Sequence, residues 1–383
     1  MSVSDSPPRT VLLRTGNQMI AEGAIAAGCR FFAGYPITPA TGIFKTMVDE
    51  LPLHGGVALS APDEISAIAY CIGASMRGFK AMTATSGPGW ALMTESVQYA
   101  LMTETPLVVA LVQRLGPSTG GATQGAQGDV LFAEYCTSGG YTIPVLCPTD
   151  VYDCYELTVL AFNWSEMLRT PVVVLSDKET SMTIESVDTS RLSKPPLRER
   201  ERLVSNGRSH RGTYAFERLE DIPPFTPVGG PHKVTATGSA HDKQGRLQKN
   251  SPETLEVLQH LEEKIRHRTA ELSVTSADLE RQARTLVISY GITSRAARHA
   301  VRLARNEGQR VSLLILLSLF PVPAHALRTA LVGVERVIVA EENLHGLYRQ
   351  ILAPYCGSRE LVGVNGIGSL ITPKQILEAL RGT

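Results

Sequence analysis

Three short segments, each placed after a predicted strand, carry side chains suited to chemistry on a small acid: a hydroxyl, a carboxyl and a guanidinium. The hydroxyl is that of Thr38, which stands between Pro36 and Pro39. Because each proline fixes φ and removes a backbone donor, this loop is expected to be stiff and to hold the Thr38 hydroxyl in place. The alternative is an ordinary helix start, with Thr38 as the cap and Pro39 in the first turn.

The carboxyl is that of Glu64, which precedes a run of small and apolar residues from Ile65 to Ser75. A helix that is apolar on every side is expected to be buried, and its small residues would let another helix approach closely, as at a subunit interface. Glu64 would then lie at the mouth of a buried helix, available to exchange a proton. The alternative is an acidic first turn that only complements the helix dipole.

The guanidinium is that of Arg114, which follows the apolar run 107–112. Arginine pairs with carboxylates in a bidentate manner, so a fixed arginine at a strand end suits an acid substrate. The alternative is a surface arginine in a salt bridge. Gln124, Gln127 and Asp129 follow in a glycine-rich stretch, where they could line the same cleft or only solvate a loop. Gly87-Pro88-Gly89 allows a sharp turn, but by itself it is a weak signal.

Alternation of short apolar runs with helical patterns predicts the elements that position these side chains. The predicted strands lie at 31–34, 56–59, 80–83, 107–112, 142–145 and 171–175, and the predicted helices near 17–28, 40–52, 64–78, 90–103 and 150–168. This order favours an α/β fold with a doubly wound parallel sheet. Such sheets bind ligands in the loops beyond the carboxyl ends of their strands.

The chain divides by character into three parts. Residues 1–189 form the first α/β domain, and 190–250, rich in charge and proline, read as an extended connector. Residues 251–383 comprise a linking helix, with helical periodicity from 251 to 284, and a smaller α/β domain. In that domain we predict strands at 286–291, 311–317 and 336–340, helices at 293–306 and after 373, and an exit loop at the end of the apolar run 311–322.

Composition excludes several classes of function. The 383 residues contain 37 basic and 37 acidic side chains, so neither nucleic acid nor an anionic membrane is an expected partner. We find no apolar stretch of about twenty residues and no signal peptide, and predict a cytoplasmic protein. The six cysteines show no CxxC pair and no metal-like spacing with histidine, so we expect reduced thiols, no metal site and no iron–sulfur ligand set in this chain.

Several motifs, taken in order, resemble the α subunit of the 2-oxoacid:ferredoxin oxidoreductases, most closely the 2-oxoglutarate type. The resemblance covers nearly the whole chain. The matching stretches are 16–28, 35–39, 63–65, 83–89, 113–114, 116–120, 127–129, 239–242, 290–291 and 341–344.

This resemblance implies a pyrimidine-binding domain for thiamine diphosphate, followed by a transketolase C-terminal-like domain. The family converts a 2-oxo acid, coenzyme A and oxidised ferredoxin into an acyl-CoA, carbon dioxide and reduced ferredoxin. By the resemblance, Glu64 is the catalytic residue and bonds the pyrimidine nitrogen N1′, while Thr38 and Arg114 bind the substrate. The residues implied to contact the cofactor are Tyr35, Pro36, Glu64, Ser86 and Gly87.

The resemblance also implies a partner. We find no Gly-Asp-Gly with a downstream Asn, the pattern that grips the cofactor's diphosphate through a metal ion, and no cluster cysteines. A β subunit would therefore carry Mg²⁺ and the [4Fe-4S] cluster, the active site would lie between the chains, and a dimer of heterodimers is expected.

Some residues depart from the family pattern near the substrate end, namely Leu115, the segment 121–124 and Ala40-Thr41. They leave pyruvate and branched-chain 2-oxo acids open beside 2-oxoglutarate. Two further alternatives are a different thiamine-dependent lyase or transferase subunit, and an assembly subunit without turnover.

Overall fold

The computed structural model describes residues 10–193, 195–203 and 212–382. In the first part of the chain the elements are β1 (Val11–Thr15), α1 (Gly16–Ala26), β2 (Phe31–Gly34), α2 (Thr41–Glu50), β3 (Val57–Ser60), α3 (Glu64–Met76), β4 (Ala81–Thr85), α4 (Gly87–Met102), β5 (Leu107–Gln113), α5 (Val130–Glu134), β6 (Val145–Leu146), α6 (Val151–Leu168), β7 (Pro171–Asp177), α7 (Lys178–Met182) and β8 (Ile184–Asp188). All six predicted strands and all five predicted helices are present, within a few residues of the predicted bounds.

The first sheet has the order β6-β7-β5-β4-β2-β3, and every neighbouring pair within this order is parallel. Its central strands β5 and β7 are buried along their whole length. Alternate residues of β5 enter two separate cores: Val108 and Ala110 pack towards α1 and α6, whereas Val109 and Leu111 pack towards α3 and α4. Helices thus cover both faces, and the prediction of a doubly wound parallel sheet is confirmed.

The second part of the chain contains α8 (Pro252–Arg266), β9 (Thr275–Asp278), β10 (Thr285–Tyr290), α9 (Thr293–Asn306), β11 (Val311–Leu316), β12 (Ser318–Phe320), α10 (Ala324–Ala330), β13 (Arg336–Glu341), α11 (Leu347–Cys356), β14 (Glu360–Asn365) and α12 (Pro373–Arg381). Five of these strands form a sheet of order β14-β13-β10-β11-β9, in which only β9 is antiparallel to its neighbour. This is the smaller α/β domain that the sequence predicts.

Two predictions about this region are wrong. The linking helix α8 ends at Arg266, so the helical prediction up to residue 284 fails and the chain enters edge strand β9 instead. The end of the apolar run 311–322 is not an exit loop, because β12 pairs antiparallel with β6 and becomes the seventh strand of the first sheet. Its apolar side chains are buried by that pairing, which the sequence pattern alone does not show.

The connector contains no helix or strand between 192 and 250 among the described residues. It is nevertheless anchored to the first domain by a buried ion pair, since Arg200 Nη2 lies 2.5 Å from Glu166 Oε1 and both side chains are 2% exposed. The ribbon of β1 and β8 is antiparallel and was not predicted. In the described part of the chain, no helix is both long and apolar enough to cross a membrane.

Candidate functional site at the carboxyl edge of the first sheet

The loops after β2, β3, β4 and β5 meet at one edge of the first sheet, because these strands are parallel. The first contact there joins two predicted substrate residues: Arg114 Nη1 donates to the Thr38 carbonyl oxygen at 2.5 Å. Arg114 is only 7% exposed and forms no salt bridge with a described residue, so the surface salt-bridge alternative is wrong. Its Nε is buried without a partner in the described structure.

The stiff loop before α2 is fixed by a hydrogen bond from α1. Asn17 of α1 donates through Nδ2 to the Pro39 carbonyl oxygen at 2.8 Å, in a buried setting. The N-cap of α2 is Ala40, which forms no side-chain cap, so the alternative in which Thr38 caps this helix is wrong. The Thr38 side chain is therefore not used by the helix and remains available at the site.

Glu64 is the first residue of α3 and is only 7% exposed. The cap of α3 is its neighbour Asp63, whose Oδ1 accepts from the Ser66 backbone at 2.7 Å. The Glu64 carboxylate forms no hydrogen bond or ion pair with any residue in 10–193, 195–203 or 212–382. Glu64 is thus largely covered as a residue, and its carboxylate has no partner in the described chain, so it is free to bind a group that this chain does not supply.

The first turn of α4 carries the glycines that make room for this carboxylate. A Cβ on Gly89 would lie 2.7 Å from Glu64 Oε1 and would overlap the Thr85 hydroxyl, so only glycine fits. A Cβ on Gly87 would lie 3.0 Å from Asp129 Oδ1. The Gly-Pro-Gly turn thus brings Glu64 and Asp129 to the same helix end, a role for which its spacing alone was a weak signal.

Ser86 precedes this helix and is fully buried, yet its hydroxyl neither caps α4 nor finds a described partner. Four other polar atoms near this edge are also buried and unpaired within the described structure. They are Asn17 Oδ1, Gln113 Nε2, Arg114 Nε and Asp129 Oδ2. Buried polar atoms are nearly always satisfied in native proteins, so such a cluster indicates a ligand site.

Residues 22–259 match the family model of pyruvate flavodoxin/ferredoxin oxidoreductases, thiamine-diphosphate-binding. The chain belongs to this family. Residues 283–376 of this oxidoreductase-family chain also match the model of pyruvate:ferredoxin oxidoreductase core domain II.

Individual relatives agree. The 2-oxoglutarate synthase subunit KorA of Methanocaldococcus jannaschii is 38% identical over 369 residues, which are 96% of this chain and 98% of that protein. A structure of 2-oxoglutarate:ferredoxin oxidoreductase from Magnetococcus marinus, with 2-oxoglutarate, coenzyme A and succinyl-CoA bound, is 31% identical with a TM-score of 0.90. The match covers 98% of this chain and 66% of that one.

A more distant structural match concerns the fold alone. A split-gene transketolase in an inactive β4 tetramer is 12% identical, with a TM-score of 0.55, and the match covers 96% of this chain and 95% of that one. The predicted fold class, a thiamine-diphosphate-binding α/β domain followed by a smaller transketolase-like α/β domain, is confirmed by the family models and the structural matches taken together.

The unpaired atoms also fit the group that the family model implies, thiamine diphosphate, at its aminopyrimidine end. A carboxylate such as that of Glu64 can accept a hydrogen bond from a protonated ring nitrogen, and the buried Ser86 hydroxyl has no described partner. Tyr35 and Pro36, which were predicted to line the cofactor, are exposed on this chain and form no described hydrogen bond with the other site residues.

Two further polar residues lie at this edge, and both belong to stretches that match the family motifs. The sequence leaves open whether Asp129 lines the cleft or only solvates a loop, and it assigns no task to Gln113. In the structure Gln113 Oε1 accepts from the Asp129 backbone at 3.0 Å, which fixes Asp129 between Gly87 and the Arg114 side. Asp129 therefore lines the edge, and the burial of its unpaired Oδ2 is the feature that the sequence does not show.

Gln127 itself joins the two domains. Its Oε1 accepts from the Glu342 backbone and from the Thr293 hydroxyl, each at 3.0 Å, and its Nε2 donates to the Tyr290 carbonyl oxygen at 3.1 Å. Burial, together with the carboxylates of Asp177 and Glu179, raises the pKa of Glu342 to about 7. Gln127 and the motifs at 290–291 and 341–344 thus meet at the domain interface, whereas Asp129, two residues on, lies beside Gly87 at the candidate site.

Arg114 provides the first prediction about the site. The Arg114→Gln variant is expected to lower kcat/KM for the 2-oxo acid by about 10–100-fold, because a charge-assisted pair with a carboxylate contributes about 1.5–3 kcal/mol. Steady-state kinetics over several 2-oxo acids measure this. The matched control is Arg281→Gln, at an exposed arginine of the other domain. Unchanged kcat/KM for every acid would remove Arg114 from substrate binding.

Asp129 provides a prediction about pH. Burial raises the pKa of Asp129 to about 6, although the Arg114 guanidinium acts in the opposite direction. Below pH 6 the Asp129 carboxyl is neutral and does not repel an anionic substrate bound near Arg114. Above pH 6 the carboxyl is negatively charged and repels that substrate. KM is therefore expected to rise as the pH increases from 5 to 7. The Asp129→Asn variant should flatten that rise, and a wild-type slope in the variant would refute the assignment.

Proposed function

We propose that this chain is the α subunit of a thiamine-diphosphate-dependent 2-oxoacid:ferredoxin oxidoreductase acting on 2-oxoglutarate. The observation that carries the proposal is Glu64, a largely covered residue at a strand-end cleft whose carboxylate has no partner in the described chain. The M. jannaschii relative is named a 2-oxoglutarate synthase subunit, and the M. marinus structure holds 2-oxoglutarate and succinyl-CoA, which supports this choice of substrate.

Within this proposal each residue of the chain has a physical task. Thiamine diphosphate supplies, when bound, the electron sink that makes decarboxylation of a 2-oxo acid feasible. Glu64 holds or releases the proton at the pyrimidine nitrogen N1′, and Gly89 leaves the room that its carboxylate needs. Arg114 pairs with the substrate carboxylate, and Thr38 offers its hydroxyl to the carbonyl end. Ser86 and Gly87 line the ring, with Tyr35 and Pro36 at the rim.

The partner subunit is proposed to bind the exposed face of α3. The apolar sequence of this helix predicts burial, with close approach of another helix as at a subunit interface. On the single chain one face stays open: Ile65 is 52% exposed and Tyr70 45%, with Ala69 and Gly73 exposed beside them. Phe79, 50% exposed, continues the same apolar surface. Contiguous apolar surface of this kind next to Glu64 suits a subunit interface that closes the cofactor cleft.

We assign the remaining parts of the reaction to that partner. The β subunit would hold the diphosphate and Mg²⁺ and carry a [4Fe-4S] cluster that passes electrons to ferredoxin, while coenzyme A accepts the acyl group. All six cysteines of this chain are free and buried, and the described residues contain no cluster of ligands for a metal ion. A dimer of heterodimers and a cytoplasmic location complete the proposal, the latter in keeping with free thiols. The domain boundaries 1–189, 190–250 and 251–383 stay predictions.

Gly73 provides a prediction about this interface. A Cβ on Gly73 would meet no atom within 4 Å, so the Gly73→Ala substitution is expected to stabilise the isolated chain by about 0.5–1 kcal/mol through helix propensity. Gly73→Leu should instead weaken association with the β subunit, because its side chain stands on the face that the partner approaches. Analytical ultracentrifugation of the two chains measures this. Unchanged association of Gly73→Leu would place the interface elsewhere.

The decisive experiment is to purify the chain together with its β subunit and to assay reduction of a viologen dye by several 2-oxo acids, with and without coenzyme A. Reduction that requires 2-oxoglutarate and coenzyme A is the expected result. A preference for a branched-chain acid would instead connect the departures at Leu115 and 121–124 with specificity. Thiamine-dependent turnover without dye reduction would favour a lyase or transferase, and no turnover with any acid would favour an assembly subunit.

A further inference from the structure

Helix α9 of the second domain concentrates positive charge in a chain that is neutral overall. Its fourteen residues contain no aspartate and no glutamate. The basic residues on it are Arg295, Arg298, His299, Arg302 and Arg305. They recur at three- and four-residue spacing and therefore lie on one side of the helix, while the opposite side packs into the core through alanines and Val301.

Among the described residues, only the arginines at the two ends of this row, Arg295 and Arg305, form ion pairs with a carboxylate. Arg295 Nη2 lies 2.6 Å from Glu185 Oε1, and Arg305 Nη1 lies 2.8 Å from Asp278 Oδ2. Arg298 and Arg302, in the middle, have no carboxylate within 4 Å among the described residues. Arg298 reaches only the Ser276 hydroxyl, at 3.3 Å, and Arg302 only the His299 ring, at 2.9 Å.

This arrangement is unfavourable for the helix itself. Like charges three and four residues apart on a helix repel one another, and both Arg298 and Arg302 have such neighbours. Arg295 also lies in the first turn of α9, where the helix dipole disfavours positive charge, and its ion pair with Glu185 offsets this. A bound anion would in the same way reduce the repulsion around Arg298 and Arg302.

The unpaired guanidiniums face a groove. It lies between α9 and the edge strand β9, and its volume is about 540 Å³. The lining comes mainly from Asp278 and the basic side chains of α9, and its apolar members Val301 and Leu313 are buried beneath it. The volume falls in the range of small-molecule sites, and the lining offers no exposed apolar anchor of the kind that a protein interface uses.

We propose that this groove binds a small, multiply charged anion of the phosphate class, such as the diphosphate or phosphate-ester group of a metabolite. Arg298 and Arg302 supply the two guanidinium forks, whose planar geometry matches phosphate oxygens. His299 adds a third donor from the same helix, and the Ser276 hydroxyl adds a neutral donor from the edge strand. The paired arginines at either end confine the anion to the centre of the groove.

The test uses the full chain and inorganic pyrophosphate, titrated by calorimetry at matched ionic strength and without divalent cations. We expect one saturable site per chain with a Kd below about 1 mM, and a Kd raised by about tenfold or more in the double variant Arg298→Gln/Arg302→Gln. The single variant Arg302→Gln should fall between them. The control Arg328→Gln, at an exposed arginine of the same domain, should bind as the wild type does.

Further titrations identify the kind of molecule that supplies the anion. Inorganic phosphate, ADP and adenosine 3′,5′-bisphosphate are titrated in the same way, and tighter binding of either nucleotide identifies a nucleotide as the source of the anion. Because the substitutions remove repulsion, thermal unfolding of the double variant should begin no lower than that of the wild type, which shows that it folds. No saturable binding of pyrophosphate, equal Kd values in the double variant, or binding of polyglutamate alone would each overturn the proposal.

Discussion

Replacing Glu64 by glutamine is expected to lower 2-oxo acid turnover by about 10²–10⁴-fold, the range that a positioned proton-transferring side chain contributes. The substitution keeps the size of the side chain and the Gly89 fit, but it removes the group that holds or releases the proton. Because Glu64 has no partner in the described chain, no internal ion pair is broken. Folding and association with the β subunit should therefore be retained.

The measurement is viologen reduction by the assembled complex, with gel filtration to verify assembly. The matched control is Glu95→Gln, at an exposed glutamate of α4, which should keep wild-type turnover. Wild-type turnover in Glu64→Gln would remove Glu64 from the chemistry. Lost turnover together with lost assembly would instead mean that the carboxylate has a structural task at the interface.

The second large effect is on stability and concerns Glu104, at the turn between α4 and β5. Its Oε2 lies 2.9 Å from Lys264 Nζ and 3.1 Å from His260 Nε2 of α8, and all three side chains are at most 1% exposed. Glu104→Gln leaves the Lys264 ammonium buried without its counter-charge. Removing one partner of a buried pair costs about 3–5 kcal/mol, so a fall in the free energy of unfolding of that size is expected.

The effect should depend on pH. Burial alone would raise the pKa of Glu104, but the charges of Lys264, His260 and Arg169 outweigh it and hold that pKa well below its usual value. The folded pKa is thus below the unfolded one, so the stabilisation is present above about pH 4.3 and is lost as the pH falls further. Chemical denaturation of wild type and Glu104→Gln should therefore converge in acid.

A surface pair provides the comparison. Glu263 and Arg266 of α8 form an ion pair with 2.6 Å between Oε2 and Nη2, but the Arg266 side chain is 64% exposed. Exposed pairs contribute about 0–1 kcal/mol, so Glu263→Gln should change stability little. An equally small effect of Glu104→Gln would show that α8 is not held to the first domain by this buried network.

Local sequence was sufficient for six strands and five helices of the first domain and for the expectation that three loops with polar side chains lie together. Fully apolar strands such as 107–112 and 171–175 and the helical patterns between them depend on short-range periodicity, so their type and order follow from the sequence. Since parallel strands end at one edge, the loops with Thr38, Glu64 and Arg114 could be placed together without coordinates. The motifs at these loops also indicate the family, and the comparisons with known proteins confirm it.

Tertiary structure decided the features that depend on contacts between distant parts of the chain. Strand β12 belongs to the first sheet only because its apolar residues find β6, and α3 keeps an exposed apolar face because this chain does not cover it. Asp129 is brought to the candidate site by its close approach to Gly87. Glu104 is expected to stabilise the fold because it pairs with Lys264 of α8. Sequence periodicity shows which side of a helix or strand is apolar. Which element covers that side, and whether a carboxylate finds a partner, is decided only when distant parts of the chain come together in the fold.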